Sequence, residues 1–337
     1  MDNDKLVLVT GGSGFLGGYV VAELLRRGYE VRTTVRNLGR ADAVRHRLAS
    51  VVDPGKLSFV AADLMSDDGW DKAADGVDYV VHTASPMPVG EFRGQDVIRP
   101  AREGTRRVLE AAQRGGARRV VLTSSTAAAM PAEPGAVADE NTWTDVPDRP
   151  EHMYPRAKTL AERDAWKLVS GWPEGPELVT VLPANIQGPA LDEDYAPSVG
   201  LIRMMLTGKL PLLPRIGYSV VDVRDLATLH AEAMTAPAAA GHRLIAAGEF
   251  LWLADMAAVL RDRLGEQARR VPRHRMPNWA VRAGALVNAE MRQLAPSLGV
   301  QTNLSAARAL DLLGWRTRPA ADSVEDTGRS LIRLGLA

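Results

Sequence analysis

Residues 5–17 read KLVLVTGGSGFLG, and this stretch decides the fold. A short apolar run leads into a glycine-rich turn, and a helical pattern follows. Gly12, Gly14 and Gly17 match the spacing G-x-G-x-x-G, and Gly11 with the last two matches the looser G-x-x-G-x-x-G. A strand that enters a helix through such a turn lets backbone N–H groups approach a diphosphate closely. The stretch therefore predicts a strand–turn–helix unit that binds a dinucleotide.

Short runs rich in Val, Ile and Leu alternate with longer stretches of helical pattern along the rest of the chain. Most of these runs lack the polar alternation of a half-exposed strand, which indicates strands buried on both faces. This order of elements predicts an α/β fold with a doubly wound parallel sheet of the Rossmann type. The predicted strands are residues 5–10, 30–36, 57–62, 77–82, 118–124, 177–183 and 242–247, and two of the predicted helices are 96–115 and 154–171.

A second, smaller lobe is expected after Pro183, where pieces rich in proline and glycine interrupt the alternation. We assign residues 1–187 and 217–247 to the dinucleotide-binding domain, and residues 188–216 and 248–337 to a substrate-binding lobe. Trp252, Trp279 and Trp315 are expected to anchor the packing of that lobe.

The composition argues against several classes of function. The 337 residues include 41 basic and 41 acidic ones, so the net charge is zero, and neither a nucleic acid nor an anionic membrane is an expected partner. The absence of cysteine excludes a disulfide framework and every thiolate metal site. The six histidines form no ligand motif, so no metal is expected.

Two features of the sequence bear on the cellular location of the protein. The acidic N-terminus is followed by an apolar run that is too short for a signal-peptide core. No run reaches the roughly 18 apolar residues of a membrane span. We therefore expect a cytoplasmic protein.

The end of the second predicted strand indicates which dinucleotide binds. An acidic residue there would accept a hydrogen bond from the free ribose 2′-OH of NAD. The strand ends instead in Arg36, whose guanidinium can pair with a 2′-phosphate, and Arg40 and Arg45 add positive charge nearby. We therefore expect NADPH/NADP+ as the cofactor.

Four motifs occur in a characteristic order: Thr10-Gly11-x-x-Gly14-x-x-Gly17, Ala62-Asp63-Leu64, Thr123-Ser124-Ser125 and Tyr154-x-x-x-Lys158. With them the chain resembles the extended short-chain dehydrogenase/reductase family, which selects the register of Gly11, Gly14 and Gly17. Residues 81–86 (VHTASP), 183–189 (PANIQGP), 221–225 (VDVRD) and 313–315 (LGW) are similar to one branch of it. That branch contains dihydroflavonol reductases, cinnamoyl-CoA reductases and bacterial aldehyde reductases.

The resemblance implies a set of cofactor-binding residues, to which Arg36 and Arg40 are added for the 2′-phosphate. The glycine turn would contribute Thr10, Gly11, Ser13, Gly14, Phe15, Leu16 and Gly17. Asp63 and Leu64 would contact the adenine, and Thr83, Ala84 and Ser85 would line the nicotinamide ribose. Pro183, Ile186 and Ser198 would complete the surroundings of the nicotinamide and phosphates.

Three residues are the catalytic candidates. Tyr154 and Lys158 are four apart on a predicted helix and so share one face, and a neighbouring ammonium makes a phenol a better proton donor. Ser125 ends its strand at the edge where ligands meet open α/β sheets, whereas strand alternation turns Ser124 away. We interpret Tyr154 as the proton donor in carbonyl reduction and Ser125 as a hydrogen-bond donor to the carbonyl oxygen. Lys158 would tune Tyr154, and both would also contact the cofactor.

The sequence therefore predicts an NADPH-dependent carbonyl reductase that acts on an uncharged aldehyde or ketone. Two alternatives remain: a sugar-nucleotide epimerase or dehydratase of the same fold, and a non-catalytic NADP-sensing module. Arg36 argues against the first, and the catalytic residues argue against the second. The expected assembly is a monomer or a homodimer.

Overall fold

The computed structural model describes residues 5–85, 97–133, 135–147 and 153–337. Pro86 of the 81–86 motif, Asp96 at the predicted start of a helix and the first four residues lie outside the described residues.

The strands, in chain order, are β1 (Leu6–Thr10), β2 (Glu30–Val35), β3 (Leu57–Ala61), β4 (Tyr79–His82), β5 (Arg119–Thr123), β6 (Val137–Ala138), β7 (Glu177–Pro183), β8 (Asn185–Gln187), β9 (Gly217–Asp222), β10 (Arg243–Ala246), β11 (Phe250–Trp252) and β12 (Asn303–Leu304). The α-helices are α1 (Phe15–Arg26), α2 (Ala41–Ala49), α3 (Trp70–Ala74), α4 (Ile98–Arg114), α5 (Met153–Ser170), α6 (Pro197–Leu206), α7 (Val223–Thr235), α8 (Leu253–Leu264), α9 (Asn278–Gly284), α10 (Ala289–Leu294), α11 (Ala307–Leu313) and α12 (Ala320–Arg333).

Seven strands form the main sheet in the order β3-β2-β1-β4-β5-β7-β10, and every neighbouring pair is parallel. These are the seven strands that the sequence predicted, and the doubly wound fold is confirmed. Thr10 is in register with His82, and Thr123 with Val181, so the carboxyl ends of four central strands meet along one edge. Ligands of open α/β sheets bind at this edge.

Burial on both faces explains why the strand sequences lack polar alternation. Along β1, Val7 and Val9 contribute to one apolar cluster and Leu8 to another. Helices α1 and α7 pack against each other on the first face, and α3, α4 and α5 cover the second. The first cluster continues into α6, α8 and α12, so the C-terminal helices share its core.

A separate sheet of three strands, in the order β11-β9-β8, lies beyond the end of β7. β9 pairs with β8 in parallel and with β11 antiparallel. Residues 217–247 were assigned from the sequence to the dinucleotide-binding domain and so to the main sheet. Of this range only β10 joins that sheet, whereas β9 pairs with β8 and β11 in the small one. The division into two lobes remains a prediction.

The tryptophan prediction holds only in part. Trp315 is buried, and its Nε1 donates to the Asp225 carbonyl at 2.8 Å. Trp279 is 73% exposed, so its assignment as a packing anchor was wrong. The short helix α9 buries only Val281, and Trp279, two positions earlier, lies on the opposite side of the helix.

A buried ion pair ties α5 to the sheet. The Glu162 side chain is fully buried, and its Oε1 accepts from Arg243 Nε at 2.8 Å. The same carboxylate accepts from Ser124 Oγ at 2.6 Å and from Thr180 Oγ1 at 2.7 Å. The Arg243 guanidinium stacks on the Trp143 ring, 3.7 Å from its centroid. Because every partner comes from a different element, the network fixes the position of α5 relative to β5, β7 and β10.

We predict that Arg243→Met lowers the free energy of unfolding by about 3–5 kcal/mol, because it leaves the Glu162 carboxylate buried without its counter-charge. Urea unfolding measures the change. Arg163→Met is the matched control, since Arg163 stacks on the other side of the network at 5.0 Å from the Trp143 centroid but is exposed. A loss for Arg243→Met no larger than that of the control would contradict the assignment.

Candidate active site

The glycine turn between β1 and α1 is shaped by backbone contacts. Gly11 has φ +75°, and a Cβ there would lie 2.9 Å from the Cα of Ala84. A Cβ on Gly17 would lie 2.1 Å from the Gly11 carbonyl oxygen. Packing therefore requires both glycines. A Cβ on Gly14 would meet only the Gly11 oxygen at 3.4 Å, so packing leaves open space beside Gly14 for a ligand.

The N-terminus of α1 opens into the same space. Gly14 N donates to the Gly11 carbonyl at 2.9 Å and closes the turn. No side chain caps the helix, and no acidic residue lies in its first turn. The N–H groups that begin the helix at Phe15 and Leu16, together with the positive end of the helix dipole, suit an anion such as a diphosphate. The turn thus fits a dinucleotide.

Thr10 joins the glycine turn to the end of β4. Its Oγ1 lies 2.6 Å from His82 Nδ1 and accepts from Ala84 N at 3.2 Å. Thr83 Oγ1 donates to the Thr10 carbonyl at 2.7 Å. Burial, and secondarily the Lys158 ammonium, lowers the pKa of His82 to about 3, so this imidazole is neutral. These bonds hold Thr83 and Ala84 beside the turn, as the predicted cofactor contacts require.

The three arginines after β2 have different surroundings. Arg36 is exposed and makes no hydrogen bond or ion pair with the described residues. Arg40 forms an ion pair with Asp194. Arg45 donates to the carbonyls of Pro54 and Leu57 at 2.9 and 2.8 Å and stacks on Phe59. Arg36 alone of the three has a guanidinium with no protein partner in the described parts of the chain.

A small cavity lies at the carboxyl edge of the sheet, next to the glycine turn. Its walls include the predicted cofactor contacts Leu64, Ala84 and Ser85 and the predicted catalytic Lys158. Asp63, one residue before Leu64, accepts from Met65 N through Oδ1 at 2.9 Å. The structure therefore brings residues from the ends of β3 and β4 together with α5.

Ser125 and Tyr154 lie on two elements that touch. Ser125 is 8% exposed, and its Oγ accepts from Ala127 N at 3.1 Å in the short turn after β5. Helix α5 packs against that turn. Tyr154 lies one helical turn before Lys158 on α5 and therefore shares its face. Ser124 donates to Glu162 instead, and these two residues line the small cavity together with Lys158.

Pro183, Ile186 and Ser198 lie around the end of β7. The Pro183 carbonyl accepts from Thr126 Oγ1 at 3.3 Å, next to the Ser125 turn. Ser198 Oγ donates to the Ile186 carbonyl at 2.5 Å and ties β8 to the start of α6. The Ser198 hydroxyl proton is thus used within the protein, and its oxygen remains as an acceptor.

The sequence analysis did not single out three residues next to the site: Arg47, His82 and Glu162. His82 ends an apolar run and Glu162 lies in a charged segment of α5, yet both are buried, and only the fold reveals their partners. Arg47 left a signal in the sequence. It lies with Val44 and Leu48 at the i, i+3, i+4 spacing of the buried face of α2, where an arginine is unusual.

No helix among residues 5–85, 97–133, 135–147 and 153–337 is both long and apolar enough to cross a bilayer. No group of three potential metal ligands occurs within those same ranges.

Comparison with known proteins places this site in a family. A model of the NAD dependent epimerase/dehydratase family matches residues 7–248. Cinnamoyl-CoA reductase 2 of Arabidopsis thaliana is 34% identical over 248 residues, which cover 72% of this chain and 73% of the relative. Tetraketide alpha-pyrone reductase 1 of the same plant is 36% identical over 275 residues, which cover 78% and 82%.

A solved structure adds a comparison of the fold. The yeast methylglyoxal/isovaleraldehyde reductase Gre2, complexed with NADPH, matches with a TM-score of 0.80 at 22% identity and covers 98% of this chain and 100% of its own. The reductase branch and the oxidoreductase class predicted from the motifs are confirmed by these relatives. Since the family model spans well over half of the chain, including the glycine turn, Lys158 and the strands between them, the chain belongs to the NAD dependent epimerase/dehydratase family, the extended short-chain dehydrogenases/reductases.

Proposed function

We propose that this protein is an NADPH-dependent carbonyl reductase that converts an aldehyde or ketone to an alcohol. The observation that carries the proposal is the meeting of three parts at one edge of the sheet. These are an uncapped glycine turn suited to a diphosphate, the Ser125 turn, and the face of α5 that bears Tyr154 and Lys158. The reductase names of the relatives agree with it.

Each catalytic candidate has a distinct role in this proposal. Bound NADPH supplies the hydride. Tyr154 donates a proton to the oxygen of the substrate carbonyl, and Ser125 donates a hydrogen bond to that oxygen as negative charge develops. Lys158, one helical turn from Tyr154, would stabilise the negative charge that Tyr154 carries after the proton transfer, and it would bind the nicotinamide ribose. The network of Glu162 keeps α5, and hence both side chains, at the sheet edge.

The composition of the chain supports an uncharged substrate. Acidic and basic residues balance at 41 each, and the stretches 201–206 and 211–214, expected near the substrate, are rich in apolar residues. Apolar contacts would hold the substrate while its oxygen faces the hydrogen-bond donors.

We predict that Tyr154→Phe lowers kcat by about 10² to 10⁴, because it removes the proton donor and keeps the ring. The dissociation constant for NADPH should stay close to that of the unaltered protein. Stopped-flow reduction and fluorescence titration measure the two quantities. Tyr29→Phe is the control, since Tyr29 is buried just before the amino end of β2, away from the site. If Tyr154→Phe kept most of the activity, another group would be the acid.

We predict that Arg36→Ala weakens NADPH binding by about ten- to hundredfold, because a charge-assisted hydrogen bond to the 2′-phosphate is lost. NADH binding should change little. Arg282→Ala removes another exposed arginine with no partner among the described side chains and controls for overall charge. Equal weakening of both cofactors by Arg36→Ala would exclude a role in choosing between them.

The reaction itself is tested by a panel of aldehydes, ketones and nucleotide sugars, followed by NADPH absorbance. Apolar pockets discriminate by only about 1–3 kcal/mol per methylene, so kcat/KM should change gradually along a homologous ketone series. Nucleotide sugars should be inert. Turnover of a UDP- or GDP-sugar faster than that of simple carbonyls would favour the epimerase alternative.

A further inference from the structure

The guanidinium of Arg47 lies directly behind the glycine turn. Its Nη2 donates to the Gly12 carbonyl at 3.1 Å, and its Nη1 donates to the Ser13 carbonyl at 2.9 Å. The side chain is 6% exposed and packs closely, since a Cβ on Gly18 would come within 3.3 Å of Nη2. Arg47 thus contacts the back of the turn that is suited to a diphosphate.

These two hydrogen bonds fix the orientation of the peptide groups in the turn. In a planar trans peptide the C=O and the following N–H point in opposite directions. Holding the Gly12 carbonyl therefore directs the Ser13 N–H away from Arg47. The guanidinium is always charged, and burial reduces the screening of its charge. Arg47 consequently adds positive potential to the turn from behind.

An arginine at position 47 is unfavourable for packing compared with an apolar side chain. Its Nε is buried and finds no hydrogen-bond acceptor in the described portion of the chain. A buried donor without an acceptor destabilises the folded state, and an apolar side chain on the inner face of α2 would avoid this loss. Its hydrogen bonds to the glycine turn therefore suggest a role in shaping that turn.

One acidic segment pairs with Arg47 and also with Arg40. Asp192 Oδ2 lies 3.2 Å from Arg47 Nη1, and Asp192 Oδ1 accepts from Asp194 N at 2.9 Å. Asp194 is the partner of Arg40. Residues 192–194 therefore contact the polypeptide on either side of the start of α2 through two ion pairs. Asp192 orients the guanidinium of Arg47 through its contact with Nη1.

We propose that Arg47, oriented by Asp192, is a positioning residue for the diphosphate of the dinucleotide. It fixes the glycine turn and places a buried positive charge behind it. The inference rests on the proposed function, because it requires that the turn bind a dinucleotide. It differs from the role of Arg36, since the diphosphate is common to NADH and NADPH whereas the 2′-phosphate is not.

The test compares Arg47→Met with Arg119→Met. Arg119 is likewise a buried arginine that binds backbone carbonyls and one carboxylate, Glu177, but it lies at the amino end of β5, away from the turn. Isothermal titration calorimetry with NADPH, NADH and adenosine 2′-monophosphate separates the contributions. The last ligand carries the 2′-phosphate and lacks the diphosphate.

Arg47→Met should weaken NADPH and NADH alike, by about tenfold or more, and leave adenosine 2′-monophosphate within about twofold. Arg36→Ala should instead weaken the binding of NADPH and adenosine 2′-monophosphate and leave that of NADH unchanged. Arg119→Met should lower the thermal midpoint and leave all three affinities unchanged. If Arg47→Met fails to fold, Arg47→Lys keeps the charge and loses the paired carbonyl contacts, and it should weaken both dinucleotides by a smaller factor.

Three outcomes would overturn the proposal. Unchanged dinucleotide affinities in folded Arg47→Met or Arg47→Lys would leave Arg47 with a role in stability only. Equal weakening of adenosine 2′-monophosphate would mean that the whole site had been disturbed. If the unaltered protein bound neither dinucleotide, both this proposal and the proposed function would be wrong, which distinguishes that failure from the first two.

Discussion

Contact between two stretches of backbone at the start of α1 is the constraint on which the rest of the structure depends. The Gly11 carbonyl lies where the side chain of any other residue at position 17 would be. The carbonyl oxygen belongs to the backbone and the position of a Cβ is set by the backbone, so no change of rotamer could relieve a clash. Because α1 is held at this distance, the end of β1 lies open beside the end of β4, and Thr10 can bond to both His82 and Ala84.

The other half of the site depends on charge instead of steric contact. Helix α5 bears Lys158 and Tyr154, and the Glu162 carboxylate ties it to three strands. A buried ion pair contributes little to net stability compared with an apolar pair of similar volume. It does require defined geometry at each hydrogen bond. The pair of Glu162 and Arg243 is therefore better understood as a device that orients α5 than as a source of folding free energy.

Some of these features could be predicted from the sequence, and others could not. Most of the seven strands were predictable because they are largely apolar runs, a local property that follows from burial on both faces. The glycine turn was predictable because its spacing is fixed by contacts within seven residues. Arg47 and Glu162 act through partners far along the chain, and no local pattern reveals which carbonyl or carboxylate they will meet.

Trp279 and β9 show where local reasoning was wrong. A large apolar side chain is normally buried, but α9 buries only Val281, and Trp279 lies on the opposite side of the helix. The pairing of β9 depends on where β8 lies after β7, a matter of tertiary structure. In both cases the sequence shows an apolar segment, but it does not show which other segment covers it.

The buried imidazole of His82 makes the stability of the protein depend on pH. The pKa of His82 is about 3 in the folded protein and about 6.5 in a free histidine, so below pH 6.5 this residue is protonated in the unfolded state and neutral in the folded state. The contribution of His82 to stability is constant above that pH and falls by about 1.4 kcal/mol per pH unit below it, until the folded pKa is reached. Acid therefore destabilises the folded state through a residue that supports the glycine turn and takes no part in the proposed chemistry, and the buried His230, whose pKa is lowered to about 4, adds to the effect.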